Sequence, residues 1–142
     1  MTGVDLVALL VDYGGVLTDW GDDPAAAEPP LFGVLRRAKA AGLRTALLSN
    51  AEGPGPDPDS PFGALFDTMV LSGEVGIAKP DERVYRLTAD RLGLAPGQCV
   101  FVDDLRVNVR AAAATGMVGV HHTTVAGTVA ELETLFERKL GG

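Results

Sequence analysis

The sequence carries a single cysteine, Cys99, among its 142 residues, so no internal disulfide is available to it. Cys99 precedes the apolar run Val100-Phe101-Val102 and reads as a small buried residue rather than a reactive thiol. Basic residues are also scarce. Twelve Lys and Arg face nineteen Asp and Glu, a net charge of −7, and the first thirty residues hold six carboxylates and no Lys or Arg. That balance argues against a nucleic-acid partner or an acidic membrane surface. The first basic residue is Arg36, so the chain opens without the positive stretch of a secretory signal or the arginines of a transit peptide. No apolar run approaches the ~20 residues that span a bilayer. The expectation is a cytoplasmic protein with no membrane partner, forming one domain over residues 1–142.

What is present is an alternation of short apolar runs and amphipathic stretches. Val4 to Val11 reads as a strand buried on both faces, stopped by Asp12-Tyr13-Gly14-Gly15. A loop from Thr18 to Pro30 carries three aspartates and Trp20, an aromatic expected to pack that loop onto the body rather than to act as a lid. Leu31 to Ala41 follows as a helix with Leu31, Val34, Leu35 and Ala38 on one face. Strands are predicted at Arg44–Leu48, Thr68–Leu71, Cys99–Val102 and Met117–His121, and further helices from Asp81 to Gly93, Val107 to Thr115 and Val129 to Leu140. Ala51 to Ser60, rich in Pro, Gly and Asp, reads as loop, Phe62 to Phe66 as one helical turn, and Ser72 to Pro80 as loop. Strands alternating with helices predict an α/β fold: a Rossmann-like three-layer sandwich with a five-stranded parallel sheet and helices on both faces.

Four polar clusters follow these strands or occupy the loops between them: Asp12, Ser49-Asn50, Lys79 and Asp103-Asp104. In a doubly wound sheet the carboxyl ends of the strands share one edge, so the clusters are expected to converge. Carboxylates with a backbone carbonyl make an oxygen site for Mg²⁺. A hydroxyl, an amide and a lysine offer donors and positive charge to a phosphoryl group. An aspartate beside them is a candidate nucleophile, a metal ligand or both, or simply the cap of the next loop. Taken singly, Ser49-Asn50 also reads as a turn and Lys79 as a solvated lysine before Pro80.

Taken in order, the clusters resemble the four motifs of the haloacid dehalogenase-like hydrolases, most of which are Mg²⁺-dependent phosphatases. Asp12-Tyr13-Gly14-Gly15-Val16-Leu17 resembles the family's D-x-D-G motif, and Ser49 its Ser/Thr motif. Lys79-Pro80-Asp81 and Val102-Asp103-Asp104 stand where the family has its lysine and its acidic pair, with Asn108 beyond. The resemblance implies Asp12 as nucleophile and metal ligand, and Gly14 as a ligand through its carbonyl. It implies Ser49, Asn50 and Lys79 as phosphoryl-binding residues, with Lys79 also catalytic. Asp103 and Asp104 would complete the Mg²⁺ site. The implied reaction is phosphoryl hydrolysis through an aspartyl-phosphate at Asp12, on a phosphorylated small molecule or protein.

Two departures from the family pattern carry weight. Gly14 stands where phosphatases of the family have their acid/base aspartate, a loss that typically costs ~10²–10⁴ in rate and favours good leaving groups such as acyl or aryl phosphates. Only 36 residues separate Asp12 from Ser49, so the usual cap domain is absent and the site is expected to be open. Both features also suit a rival reading: a catalytically weak or inactive module that binds a phosphorylated ligand or protein. A metal-free dehalogenase is a third reading, opposed by the acidic pair. His121-His122 is expected to be structural or solvated. Arg83, Arg86 and Arg91 are expected on an exposed helix face. The Leu/Phe stripe of the last helix is expected to be core, part of it open to a homodimer contact.

Overall fold

The computed structural model describes residues 5–142. Its sheet holds five parallel strands: β1 (Ala8–Val11), β2 (Arg44–Ser49), β3 (Thr68–Leu71), β4 (Cys99–Asp103) and β5 (Val118–His121), in the order β3-β2-β1-β4-β5. The predicted α/β architecture is therefore present, strand for strand. The first strand begins later than expected, at Ala8; of the expected strand, Val4 lies outside the described residues and Asp5 to Val7 are not paired as a strand.

The helices are α1 (Pro30–Ala40), α2 (Ser72–Val75), α3 (Glu82–Leu92), α4 (Arg106–Ala114) and α5 (Val125–Phe136). Helix α1 opens with Pro30, whose missing N–H costs nothing in a first turn. Helix α3 is capped at its start by Asp81, whose carboxylate accepts from the Arg83 N–H, and it ends on Gly93 in the left-handed region. Residues 72–80, read from sequence as loop, contain the one-turn helix α2.

Alternation along the strands sorts the core into two layers. Leu9 and Val11 of β1, with Leu47 and Val102, pack against Leu31, Val34 and Leu35 of α1 and Leu132 and Phe136 of α5. Ala8 and Leu10, with Leu48 and Phe101, pack against Val84, Tyr85 and Leu92 of α3 and Ala112 of α4. Each fully buried Leu or Phe contributes roughly 1.5–3 kcal/mol of transfer free energy.

Helix α5 lies four residues earlier than the sequence pattern suggested. Thr124 caps its start by accepting from the Gly127 N–H, and the chain turns at Glu137, whose φ is 55°. Leu140 is still fully buried, but from a tail that folds back: Glu133 Oε2 accepts from the Leu140 and Gly141 N–H groups at 2.8 Å each.

Register aligns the strand ends that carry the polar clusters. Val11 pairs with both Leu47 and Val102, and the Asp12 N–H donates to the Val102 carbonyl at 3.0 Å. Asp12 and Asp103 thus stand level on neighbouring strands, while Ser49 lies one step further out on β2. Between Asp12 and Ser49 the chain holds a turn, a loop and α1, with no inserted domain.

Candidate active site

The site begins with the turn after β1. Gly14 is extended (φ −67°, ψ 129°), whereas Gly15 has φ 81°, a conformation that glycine adopts without strain. A Cβ at Gly15 would also lie 2.3 Å from Asp104 Oδ2, so two independent reasons keep a side chain out. Around Gly14 nothing lies within 4 Å of where a Cβ would stand.

Lys79 is the centre of the charge arrangement. Its ammonium is almost fully buried and donates to Asp12 Oδ1 at 2.8 Å, Asp103 Oδ2 at 2.9 Å and the Leu48 carbonyl at 3.0 Å. It also lies 5.4 Å from the centre of the Phe101 ring. The sequence-level alternative of a solvated lysine is excluded by this burial.

Asp103, fully buried, is held from several sides. Its Oδ1 accepts from the Leu105 N–H at 2.9 Å, and its Oδ2 accepts from Asn108 Nδ2 at 3.1 Å as well as from Lys79. Asn108 is fixed in turn by α4, and its carbonyl accepts the Tyr85 hydroxyl at 2.9 Å. Tyr85 carries no motif signal, yet it pins the helix that supplies Asn108. Burial, with the negative charges of Asp103 and Asp12, pushes its hydroxyl well above the ordinary tyrosine range, so it remains a donor.

Asp12, Asp103 and Asp104 offer carboxylate oxygens that all lie within 4.8 Å of one another. Burial raises the Asp12 carboxyl above its ordinary value, against the pull of Lys79. Burial, a hydrogen bond to Asp103 and repulsion from its charge raise Asp104 as well. Three carboxylates and one ammonium leave a surplus of negative charge on hard oxygen donors, a set that fits Mg²⁺.

Ser49 and Asn50 close the other side. Ser49 shares a cleft of about 280 Å³ with Asp12, Gly14, Asn50, Lys79 and Asp104. Asn50 does something its place in the motif did not announce: its Oδ1 accepts from the Lys79 N–H at 2.9 Å and its Nδ2 donates to the Lys79 carbonyl at 3.0 Å. The amide clamps the backbone of the lysine loop, leaving one Nδ2 hydrogen for a ligand. All the sequence-predicted site residues therefore meet at one edge.

The histidines are structural, as expected, and closer to the site than their place in the chain suggested. His122 is buried, with Nδ1 2.7 Å from Thr128 Oγ1 and Nε2 2.8 Å from Asp19 Oδ2, which ties the loop after β1 to α5. His121 Nε2 lies 3.0 Å from the Asp104 carbonyl. Trp20 is less buried than expected of an aromatic packing its loop onto the body, at 52% exposed. The arginines Arg83, Arg86 and Arg91 are exposed, as predicted.

Comparison with known proteins agrees with this geometry. The family model for haloacid dehalogenase-like hydrolases matches residues 5–116. The chain belongs to that family. Among curated proteins it is 34% identical over 111 residues to the mouse acyl-CoA dehydrogenase family member 10, covering 75% of this chain and 10% of that protein. It is 34% identical over 107 residues to the sesquiterpene phosphatase astK of Aspergillus oryzae, covering 72% of this chain and 54% of that enzyme. The chain thus spans from a tenth to about half of these relatives' lengths. A crystal structure of a Corynebacterium glutamicum protein, 35% identical, superposes with a TM-score of 0.78 over 94% of this chain and 97% of that one. A family enzyme from Bacteroides thetaiotaomicron, solved in complex with magnesium and inorganic phosphate, shares the fold at 15% identity, with a TM-score of 0.62 over 84% of this chain and 96% of that one. Among the described residues, no helix is long and apolar enough to cross a membrane.

Proposed function

We propose that this haloacid dehalogenase-like hydrolase is a Mg²⁺-dependent phosphatase that works through an aspartyl-phosphate on Asp12. The observation that carries the reading is the Lys79 ammonium bridging Asp12 and Asp103 at 2.8 and 2.9 Å, beside Asp104 and Ser49 in one cleft. Relatedness to a phosphatase and the Mg²⁺ and phosphate bound by a protein of the same fold support it.

Asp12, Asp103, Asp104 and the Gly14 carbonyl are the groups that would hold the ion, which when bound supplies positive charge to offset that of the phosphoryl oxygens. Lys79 fixes the Asp12 carboxylate through Oδ1 and adds its own charge beside the phosphoryl group. Ser49 and the remaining Asn50 hydrogen orient that group. An Asp12 oxygen then attacks phosphorus, and the leaving oxygen departs with the electron pair of the broken P–O bond. Water attacks the same phosphorus in the second half, releasing phosphate and restoring the carboxylate.

The experiment is hydrolysis of p-nitrophenyl phosphate with Mg²⁺, with EDTA in its place, and with Asp12→Asn. Turnover that requires Mg²⁺ and disappears in Asp12→Asn is the expected result. Absence of turnover in folded protein supports the second reading, a phosphate-binding module, which the missing side chain at Gly14 favours.

A further inference from the structure

A second cavity adjoins the phosphoryl cleft on the α1/α5 side of the sheet. It measures about 220 Å³, and Leu47, Ala51, Phe62, Leu71 and two prolines of the 51–62 loop form its walls. No charged side chain lines it; its side-chain polar groups are the hydroxyls of Ser49 and Tyr13. Ser49 lines both spaces, so the cavity lies next to the place where the phosphoryl group would sit. Alternation along β2 explains the join, because Leu47 and Ser49 point to the same face of the sheet.

The rim is aromatic. Tyr13, the residue after Asp12, meets Phe62 edge-on at 5.7 Å between ring centres, and Phe62 packs on Phe66 at 5.2 Å. An apolar cavity of ~150 Å³ is enough for a benzene ring. A sugar or amino-acid phosphate would bring hydroxyls or charge into a space with almost nothing to pair them.

We infer that this cavity is the leaving-group subsite and that the substrates are aryl phosphates, whose ring enters the cavity beside the packed Tyr13–Phe62 pair while the phosphoryl group lies against Ser49 and Lys79. The inference rests on the phosphoryl site proposed above. A second, independent observation points the same way. Gly14 offers no side chain to protonate the departing oxygen, and a phenolate leaves with little such help, whereas an alkoxide does not. The shape of the cavity and the missing acid select the same class of ester.

The test compares benzylphosphonate, in which CH₂ replaces the ester oxygen of phenyl phosphate, with methylphosphonate. Binding is measured by calorimetry in the presence of Mg²⁺. Benzylphosphonate is expected to bind about tenfold or more tightly than methylphosphonate. Ala51→Leu, which fills the cavity, should reduce that preference to about threefold or less, and Phe62→Ala, which removes the rim, should lower it as well. Equal affinities, no binding of either phosphonate, or a preference unchanged in both folded variants would overturn the subsite. Hydrolysis of acetyl phosphate, a good leaving group without a ring, reports separately on the phosphatase reading. Turnover without the phosphonate preference removes the subsite and keeps the phosphatase; the preference without turnover does the reverse.

Discussion

Replacing Gly14 by aspartate tests whether the site lacks one group or several. The backbone there is extended at φ −67° and ψ 129°, open to any L-residue, and no atom lies within 4 Å of the new Cβ. The substitution therefore needs no rearrangement, and it removes some unfolded-state entropy, a gain of ~0.4–1 kcal/mol. A fourth carboxylate near Asp12, Asp103 and Asp104 acts against that gain, so the net stability change is expected to be small. The catalytic effect is not. A positioned general acid/base contributes ~10²–10⁴ in rate, equivalent to about 3–5 kcal/mol of barrier. It should appear selectively, because an alkyl phosphate needs its leaving oxygen protonated and p-nitrophenyl phosphate hardly does. The assay is kcat/KM for glycerol phosphate and for p-nitrophenyl phosphate, in wild type and Gly14→Asp. The ratio of the two substrates should move toward the alkyl ester by ~10² or more. A folded variant with an unchanged ratio refutes the reasoning, since the missing side chain would then not be what limits alkyl esters. Gly15→Ala serves as the contrast: its Cβ would lie 2.3 Å from Asp104 Oδ2 at φ 81°, so it should lose activity on both substrates.

Lys79→Met leaves Asp12 and Asp103 buried without their ammonium, at a cost of ~3–5 kcal/mol. A melt in EDTA should fall by roughly 10 °C, with part of the loss recovered in millimolar Mg²⁺; an unchanged melt would deny Lys79 its place between them. Asp67 predicts a pH effect: despite partial burial, bonds from the Thr45 N–H and Lys39 and the nearby Arg44 hold its carboxyl below the ordinary 3.8. Because the folded value is depressed, its stabilisation is complete above 3.8 and lost as pH falls through the folded value. Asp67→Asn should be less stable than wild type by ~1 kcal/mol at pH 7, with the gap closing in strong acid, as followed by urea titration. Burial pushes the Cys99 thiol up to about 11. An aromatic disulfide reagent at pH 8 should label it only in denaturant, and rapid labelling of native protein would contradict its burial.

The parts of the fold that were legible in the sequence are those with local causes. The apolar runs of β1, β2 and β4 stop at Asp12, Ser49 and Asp103 because polar or glycine residues follow each of them. Helix α3 was bracketed by Asp81 and Gly93, a cap and a left-handed stop. The end of α5 was misplaced because Leu140 continues the helical spacing across a reversal that only the tertiary contacts of Glu133 produce. Helix α2 spans four residues and leaves no period to detect. The Asn50 clamp joins residues 29 apart through backbone atoms, and Tyr85 acts through another residue's carbonyl, so neither leaves a pattern in the sequence. The expectation for Trp20 followed the usual bias of aromatics toward packing, and its half-exposed position leaves no signal in the sequence.

The strand order bears on how such a protein can change over generations. The candidate site residues Asp12, Ser49 and Asp103 sit at the ends of the three inner strands, each of which has a neighbour on both sides. The apolar walls come largely from a single excursion between β2 and β3, on the flank of the sheet. If the proposed site and subsite hold, changes to the loop residues that line the cavity should alter selectivity more than reactivity, although Ala51 and Phe62 also pack against the core. On the proposed reading, a library confined to residues 51–62 would vary the substrates accepted, and one aimed at the strand ends would vary the chemistry itself.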